Sequence, residues 1–232
     1  MKILAIRGKN LASLSGEFEI DFRREPLKHA GLFAITGSTG SGKTTILDAM
    51  CIALYGSSPR LDNIKNSNAI ERFGKAALQE SDPKTILRRG STEGYAEVDF
   101  SAVDSNEYRV RWSISRTRNN PNGSFRPTSY DLHNLSDGEH RPLSATEHSK
   151  MIPQLVGLTY EQFTRAVLLA QGNFSAFLKA DENEKATILQ TLTGTEIYSR
   201  ISALIYAKCA EAKKELELIE EKKKGLVILS DE

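Results

Sequence analysis

The chain has 232 residues, 39% hydrophobic and 26% charged, with a formal net charge of +1 at pH 7. That is globular composition, enough for one sizeable core and an appendage, and it excludes nucleic-acid binding argued from global charge: any basic surface has to be local. Cys51 and Cys209 lie far apart and give neither a disulfide framework nor a metal spacing, and the histidines at 29, 133, 140 and 148 are scattered enough to read as surface or turn residues.

Met1 to Arg7 reads as a strand. Its apolar stretch is too short for a signal peptide and is interrupted by Arg7, and no run approaches membrane length. A soluble, cytoplasmic chain is expected. Gly16 to Phe22 alternates Phe18, Ile20 and Phe22 with Glu17, Glu19 and Asp21, the pattern of a half-exposed strand. Gly31 to Thr36 is continuously apolar and predicts a short strand buried on both faces. Thr44 to Leu54 is rich in aliphatic residues and predicts a buried helix that stops at Gly56 before Pro59. Residues 57–92 are polar and irregular and predict no definite element.

Alternation then returns. Ala96, Val98, Phe100 and Ala102 share one face of a strand, and Val110, Trp112 and Ile114 share one face of the next, with a hairpin turn at Asp104 to Asn106. After the turn-rich loop 119–127, Thr128 to Leu135 is a third strand, returning through Asp137-Gly138. These three predict an antiparallel meander. Helical patterns follow over 145–156, 160–169 and 181–192, the last opened by Asp181 with Glu184 as its box partner. A long helix runs from about 195 to 224. On it Ile205, Cys209, Ala212, Leu216 and Ile219 make one apolar seam amid Lys and Glu. A docked surface helix would show the same pattern, but about thirty residues at roughly 1.5 Å each reach beyond a small domain. The seam predicts a coiled coil whose partner helix lies outside this sequence.

Between the apolar run and the first helix stands Gly37-Ser38-Thr39-Gly40-Ser41-Gly42-Lys43-Thr44, a full match to G-x-x-x-x-G-K-[ST]. A triphosphate needs many donors under little steric cover. The three glycines let successive N–H groups converge on phosphate oxygens, and the following helix adds its unpaired N–H groups and positive dipole end. Lys43 is positioned for the β- and γ-phosphates, Thr44 for Mg²⁺, and Thr45 for the α-phosphate. A chance glycine-rich turn would match the same pattern, but it would not need to follow an apolar strand and open an apolar helix. ATP is favoured over GTP, because no guanine-reading Asn/Thr-Lys-x-Asp segment occurs.

Holding a nucleotide is not hydrolysing it, since hydrolysis needs a positioned water and a second anchor for the metal. Val227 to Glu232 has the look of a Walker B strand but follows Gly225 at the end of the charged helix. Leu135 to Glu139 has the look of an ABC signature but reads better as a hairpin turn. Both are rejected. Gln171, between two helical patterns, offers an amide for Mg²⁺ and the attacking water. The spacing alone is weak support for it.

The segments GSTGSGKTTILDA, LLAQGNFSAFL and LTGTEIYSRIS, together with the opening MKILAIRGKNLASLSGEFEIDF, resemble the N-terminal segment of the SbcC family. These are SMC-like ATPase subunits of bacterial double-strand-break nucleases. The likeness covers essentially the whole chain. It implies an α/β P-loop NTPase fold, the N-terminal lobe of an ABC-type ATPase head over residues 1–192, with 193–232 as the root of the coiled-coil arm. It also implies that Gln171 is the Q-loop glutamine on Mg²⁺, and that Asn10 and Ser13 lie near the ribose and base. Ala12 stands where some relatives carry arginine, so such a contact is lost or supplied elsewhere. The implied partners are the C-terminal half of the same head, bearing Walker B, signature, D-loop and switch histidine, and a second head sandwiching two ATP molecules. They also include an SbcD-type nuclease and double-stranded DNA ends and hairpins, in a nucleoid-associated setting. No membrane is involved.

For DNA, Arg109 and Arg111 share a strand face, with Arg116, Arg118 and Arg126 nearby. Such a stripe suits phosphates, yet an exposed meander face is also simply charged, and Glu97 and Asp99 sit beside it. Two other readings compete: an SMC-, RecF- or RecN-like clamp without a dedicated nuclease, and a self-sufficient P-loop kinase or GTPase. A continuation of the chain with long heptads and a central Cys-x-x-Cys would favour the nuclease complex over the clamp. Turnover by this chain alone would favour the kinase or GTPase.

Overall fold

Strand β1 (Lys2–Leu11) turns at Ala12-Ser13 into β2 (Leu14–Asp21), and the two pair antiparallel with Ile6 opposite Ile20 and Arg7 opposite Glu19. The computed structural model describes residues 1–62, 64, 69–70, 78–166, 181 and 196–224, and the chain divides into two units, Met1–Phe174 and Ser175–Glu232.

In the first unit, helix α1 (Lys43–Tyr55) and the short α2 (Pro59–Asp62) come next, followed by the two-residue strands β3 (Ala69–Ile70) and β4 (Leu78–Gln79) and a 3-10 turn at Pro83–Ile86. Then β5 (Glu93–Ser101), β6 (Glu107–Ser115), β7 (Ser129–Asn134) and β8 (His140–Leu143) form the expected meander with one strand more than predicted. The fourth strand was hidden by its brevity and by Pro142. It is an edge strand, where a proline is tolerated.

The six-stranded sheet runs β2-β1-β5-β6-β7-β8, every described pair antiparallel. Its register sorts the two faces. Ile6 meets Val98, Val98 meets Val110 and Ala96 meets Trp112 on one face; Arg7 meets Glu97, Glu97 meets Arg111 and Asp99 meets Arg109 on the other. The apolar face is the core, and Val98, Phe100, Val110 and Trp112 are fully buried there.

β1 pairs with β5, and α1, between them in the chain, packs on β1, β5 and β6. Its residues Ala49 to Leu54 are buried without interruption, as for a helix covered on all sides. It ends at Gly56, whose φ of 71° permits the left-handed cap, with its N–H on the Ile52 carbonyl at 2.9 Å. Helix α3 (Ala145–Val156) packs against α1 and against β7 and β8. Ser144 and Glu147 form a reciprocal capping box at its start. Helix α4 (Tyr160–Ala166) follows.

Two expectations fail. Gly31–Thr36 is not a strand: Leu32 is 93% exposed, and Phe33 and Ile35 are also exposed. An apolar run becomes a buried strand only beside a strand that takes its hydrogen bonds, and no described strand pairs with it. His148 is not a surface residue. It is 2% exposed, its Nε2 lies 3.0 Å from the Ala53 carbonyl, and its ring stacks on Tyr130.

In the second unit, helix α5 (Glu196–Lys224) bears the expected seam, and Ile205, Cys209, Leu216 and Ile219 are exposed. The expected 181–192 helix and the segment 227–232 lie outside the described residues, apart from Asp181. Among the described residues no helix is long and apolar enough to cross a membrane.

Candidate nucleotide-binding site

The glycine-lysine loop hands the chain to α1 at Gly42, which caps the helix with φ 96° and ψ 6°. A Cβ there would stand 2.4 Å from Leu14 Cδ2 and 3.2 Å from Ser13 Oγ, so glycine is required by conformation and by space. Gly40 also turns through positive φ, at 85°. No side chain caps this helix start and no acidic residue sits in its first turn. The first-turn N–H groups and the positive dipole end are therefore left for an external anion.

Lys43 folds back over the loop and its Nζ donates to the carbonyls of Gly37 at 2.7 Å and Ser38 at 2.8 Å. The loop is thereby held curled. Thr44 is exposed; Thr45 is buried, with its hydroxyl 3.5 Å from that of Ser13. Together with Ala12, Thr39, Gly40 and Arg60 these residues line a cleft of about 500 Å³. Glycines at positive φ, an ammonium over the bend, an uncapped helix and a free threonine hydroxyl fit a nucleoside triphosphate with Mg²⁺.

The opposite wall is the β1–β2 turn, where Ala12 has φ 44°. The segment that read as irregular holds it there. The Ala12 N–H reaches the Ile86 carbonyl at 2.7 Å, and Arg88 Nη1 donates to the carbonyls of Ala12 and Ser13 at 3.1 and 2.8 Å. Sequence reasoning missed Arg88 and Arg60, because their partners are remote in the chain and no local signal marks them. Ser13 lines the cleft. Asn10 does not: its amide donates to the Glu93 carbonyl and accepts from the Gly16 N–H, which commits the side chain to closing the turn, outside the cleft lining. Gln171 lies outside the described residues.

In the arginine stripe the neighbouring carboxylates take up the guanidinium groups. Asp99 is fully buried and paired by Arg7 at 3.0 Å, Arg23 at 2.9 Å and Arg109 at 2.7 Å. Arg111 pairs with Glu97 at 3.4 Å and lies over the Tyr95 ring. Burial alone would raise the Asp99 carboxyl, but the Arg109 hydrogen bonds and the Arg109 and Arg7 charges hold it below the usual carboxylate range. Arg109 and Arg111 thus neutralise carboxylates of their own sheet. Arg116 is 3% exposed, donates to the Gly123 carbonyl and lies over the Phe125 ring, so it leaves the stripe altogether. Arg118 is exposed. The rejected Leu135–Glu139 segment is the β7–β8 turn, closed by the Asn134 N–H on the Glu139 carbonyl at 2.8 Å.

This fold and this loop define a P-loop ATPase domain with the sheet-and-helix arrangement of an ABC-type N-terminal lobe. Residues 5–231 match the AAA domain family, and the chain belongs to it. The chain is 46% identical over its full length to the SbcC subunit of the SbcCD nuclease of Pseudomonas aeruginosa, covering 19% of that protein. It is 44% identical over 93% of its length to the SbcC subunit of Rhodobacter capsulatus, covering 17% of it. It is 33% identical over 87% of its length to the probable DNA double-strand break repair Rad50 ATPase of Aquifex aeolicus, covering 18% of it. The likeness to the N-terminal region of SbcC proteins is thus shown, and the chain spans about a fifth of the length of these curated relatives.

Proposed function

We propose that this chain is the ATP-binding half of an ATPase head that governs a nuclease acting on double-stranded DNA ends and hairpins. The carrying observation is the open, uncapped start of α1 beneath Lys43, in a cleft of nucleotide size. Lys43 would hold the β- and γ-phosphates, Thr45 the α-phosphate, and Thr44 with Gln171 the Mg²⁺. The magnesium ion would shield phosphate charge.

A second observation concerns what completes the head. Leu32, Phe33 and Ile35 stand exposed immediately before the loop, with no described strand beside them. A C-terminal segment pairing along this run would bury it and bring a Walker B carboxylate to the cleft. In this reading two such heads sandwich two nucleotides, and engagement regulates access of DNA ends to an SbcD-type nuclease in the cytoplasm. ATP favours the engaged state because its γ-phosphate touches both heads. The names of the relatives support the assembly, and the cleft supports the nucleotide. Co-expression with the C-terminal half of a relative's head tests it. ATPase activity should emerge in the pair and be absent from the chain alone. Equal turnover with and without the added half would contradict the split site.

A further inference from the structure

Arg60 lines the nucleotide cleft beside Thr44 and Thr45. Its Nη2 pairs with Oδ2 of Asp48 at 2.5 Å, and the two ends of this pair differ: the Asp48 side chain is 3% exposed, that of Arg60 44%. Asp48 sits one turn beyond Thr44 on α1. Burial pushes its carboxyl up, and the Arg60 charge opposes this. Oδ2 makes no hydrogen bond of ordinary geometry, and the Arg60 guanidinium is its larger compensation, with Ser58 the smaller.

A buried carboxylate on a rigid helix fixes its cation in place. The short helix carrying Arg60 is tethered at its other end as well, where Asp62 accepts from the Tyr160 hydroxyl and from Ser57 Oγ. A guanidinium has five N–H donors and a carboxylate uses at most two of them, so donors remain on the open side. A magnesium-bound triphosphate keeps net negative charge after Lys43 is counted, and a second fixed cation balances it.

We propose that Arg60 is a polyphosphate-binding residue of this cleft, with Asp48 as its positioning residue. This rests on the reading of residues 37–45 as a nucleotide site. Arg60→Ala alone would leave the Asp48 charge buried and unpaired, so the informative variant is Arg60→Ala with Asp48→Asn. MgATP is titrated calorimetrically into the full chain, its Lys43→Ala variant, the double variant and Arg60→Lys, with thermal melts alongside. The double variant should bind roughly tenfold more weakly, the effect of one charge-assisted hydrogen bond, and Arg60→Lys should lose less. A purely structural Arg60 would shift the melt and leave affinity unchanged. Should the double variant not fold, Arg60→Gln with Asp48→Asn, which keeps an amide at both positions, gives the same comparison. Unchanged affinity in the Arg60 variants, beside a weakened Lys43→Ala, would overturn this inference alone. A wild-type chain that takes up no MgATP would overturn the nucleotide reading itself.

Discussion

The Lys43 ammonium donates to the Gly37 carbonyl at 2.7 Å, so the loop proposed to hold phosphate is braced by its own cation. Removing the ammonium frees two carbonyls that solvent can satisfy. Lys43→Ala should therefore leave the melting temperature of the nucleotide-free chain nearly unchanged. MgATP affinity should fall about ten- to a hundredfold, the loss of strong charge-assisted contacts. Calorimetric titration paired with a thermal melt separates the two effects.

Gly42→Ala acts by another route. At φ 96° an alanine is strained, and its Cβ would meet Leu14 Cδ2 at 2.4 Å. The substitution should cost about 2 kcal/mol of stability and distort the cleft. Urea unfolding of the chain measures the first and MgATP titration the second.

The sheet's polar face makes a warning for DNA experiments. Arg109→Glu would set a carboxylate against fully buried Asp99 and should destabilise the chain by about 3 kcal/mol. Lost duplex binding in that variant would report unfolding. Arg118→Glu, on an exposed turn, should leave urea stability within about 0.5 kcal/mol and isolates any DNA contact. Because the folded Asp99 carboxyl is held below its ordinary value, its contribution is present above about pH 4 and is lost as pH falls below it.

His148 gives a second pH signature of its own. Desolvation lowers its pKa, partly opposed by the Ala53 carbonyl that accepts from Nε2–H. A base with a lowered folded pKa favours folding as the neutral ring. That contribution is whole above the free-histidine range near pH 6.5 and is lost as pH falls through it. Urea midpoints of the wild type should drop between about pH 7 and pH 5. His148→Gln, which keeps a donor toward Ala53, should flatten that slope. An unchanged slope would place the titrating group elsewhere.

What was legible in the sequence follows the range of the forces. Helix α1, the meander and α3 were readable because periodicity and turn residues act locally. Gly31–Thr36 misled because its apolar pattern is that of a strand while its ladder partner is absent from the described residues. Within the site, Gly37 to Thr45 was readable from spacing. Arg60 and Arg88 were not, because their partners Asp48, Ala12 and Ser13 are brought near only by the fold. The arginine stripe was half readable: alternation placed Arg109 and Arg111 on one face, but register decided that Asp99 and Glu97 face them.

The central claim is that residues 37–45 grip a nucleoside triphosphate while the hydrolytic groups come from another segment. Equilibrium MgATP binding and phosphate release, measured on one preparation of the 232-residue chain and its Lys43→Ala variant, test it most directly. Saturable binding lost in the variant, with phosphate release at the no-protein background for both, is the predicted result. Phosphate release by the chain alone that Lys43→Ala abolishes, or binding that Lys43→Ala leaves intact, would contradict it.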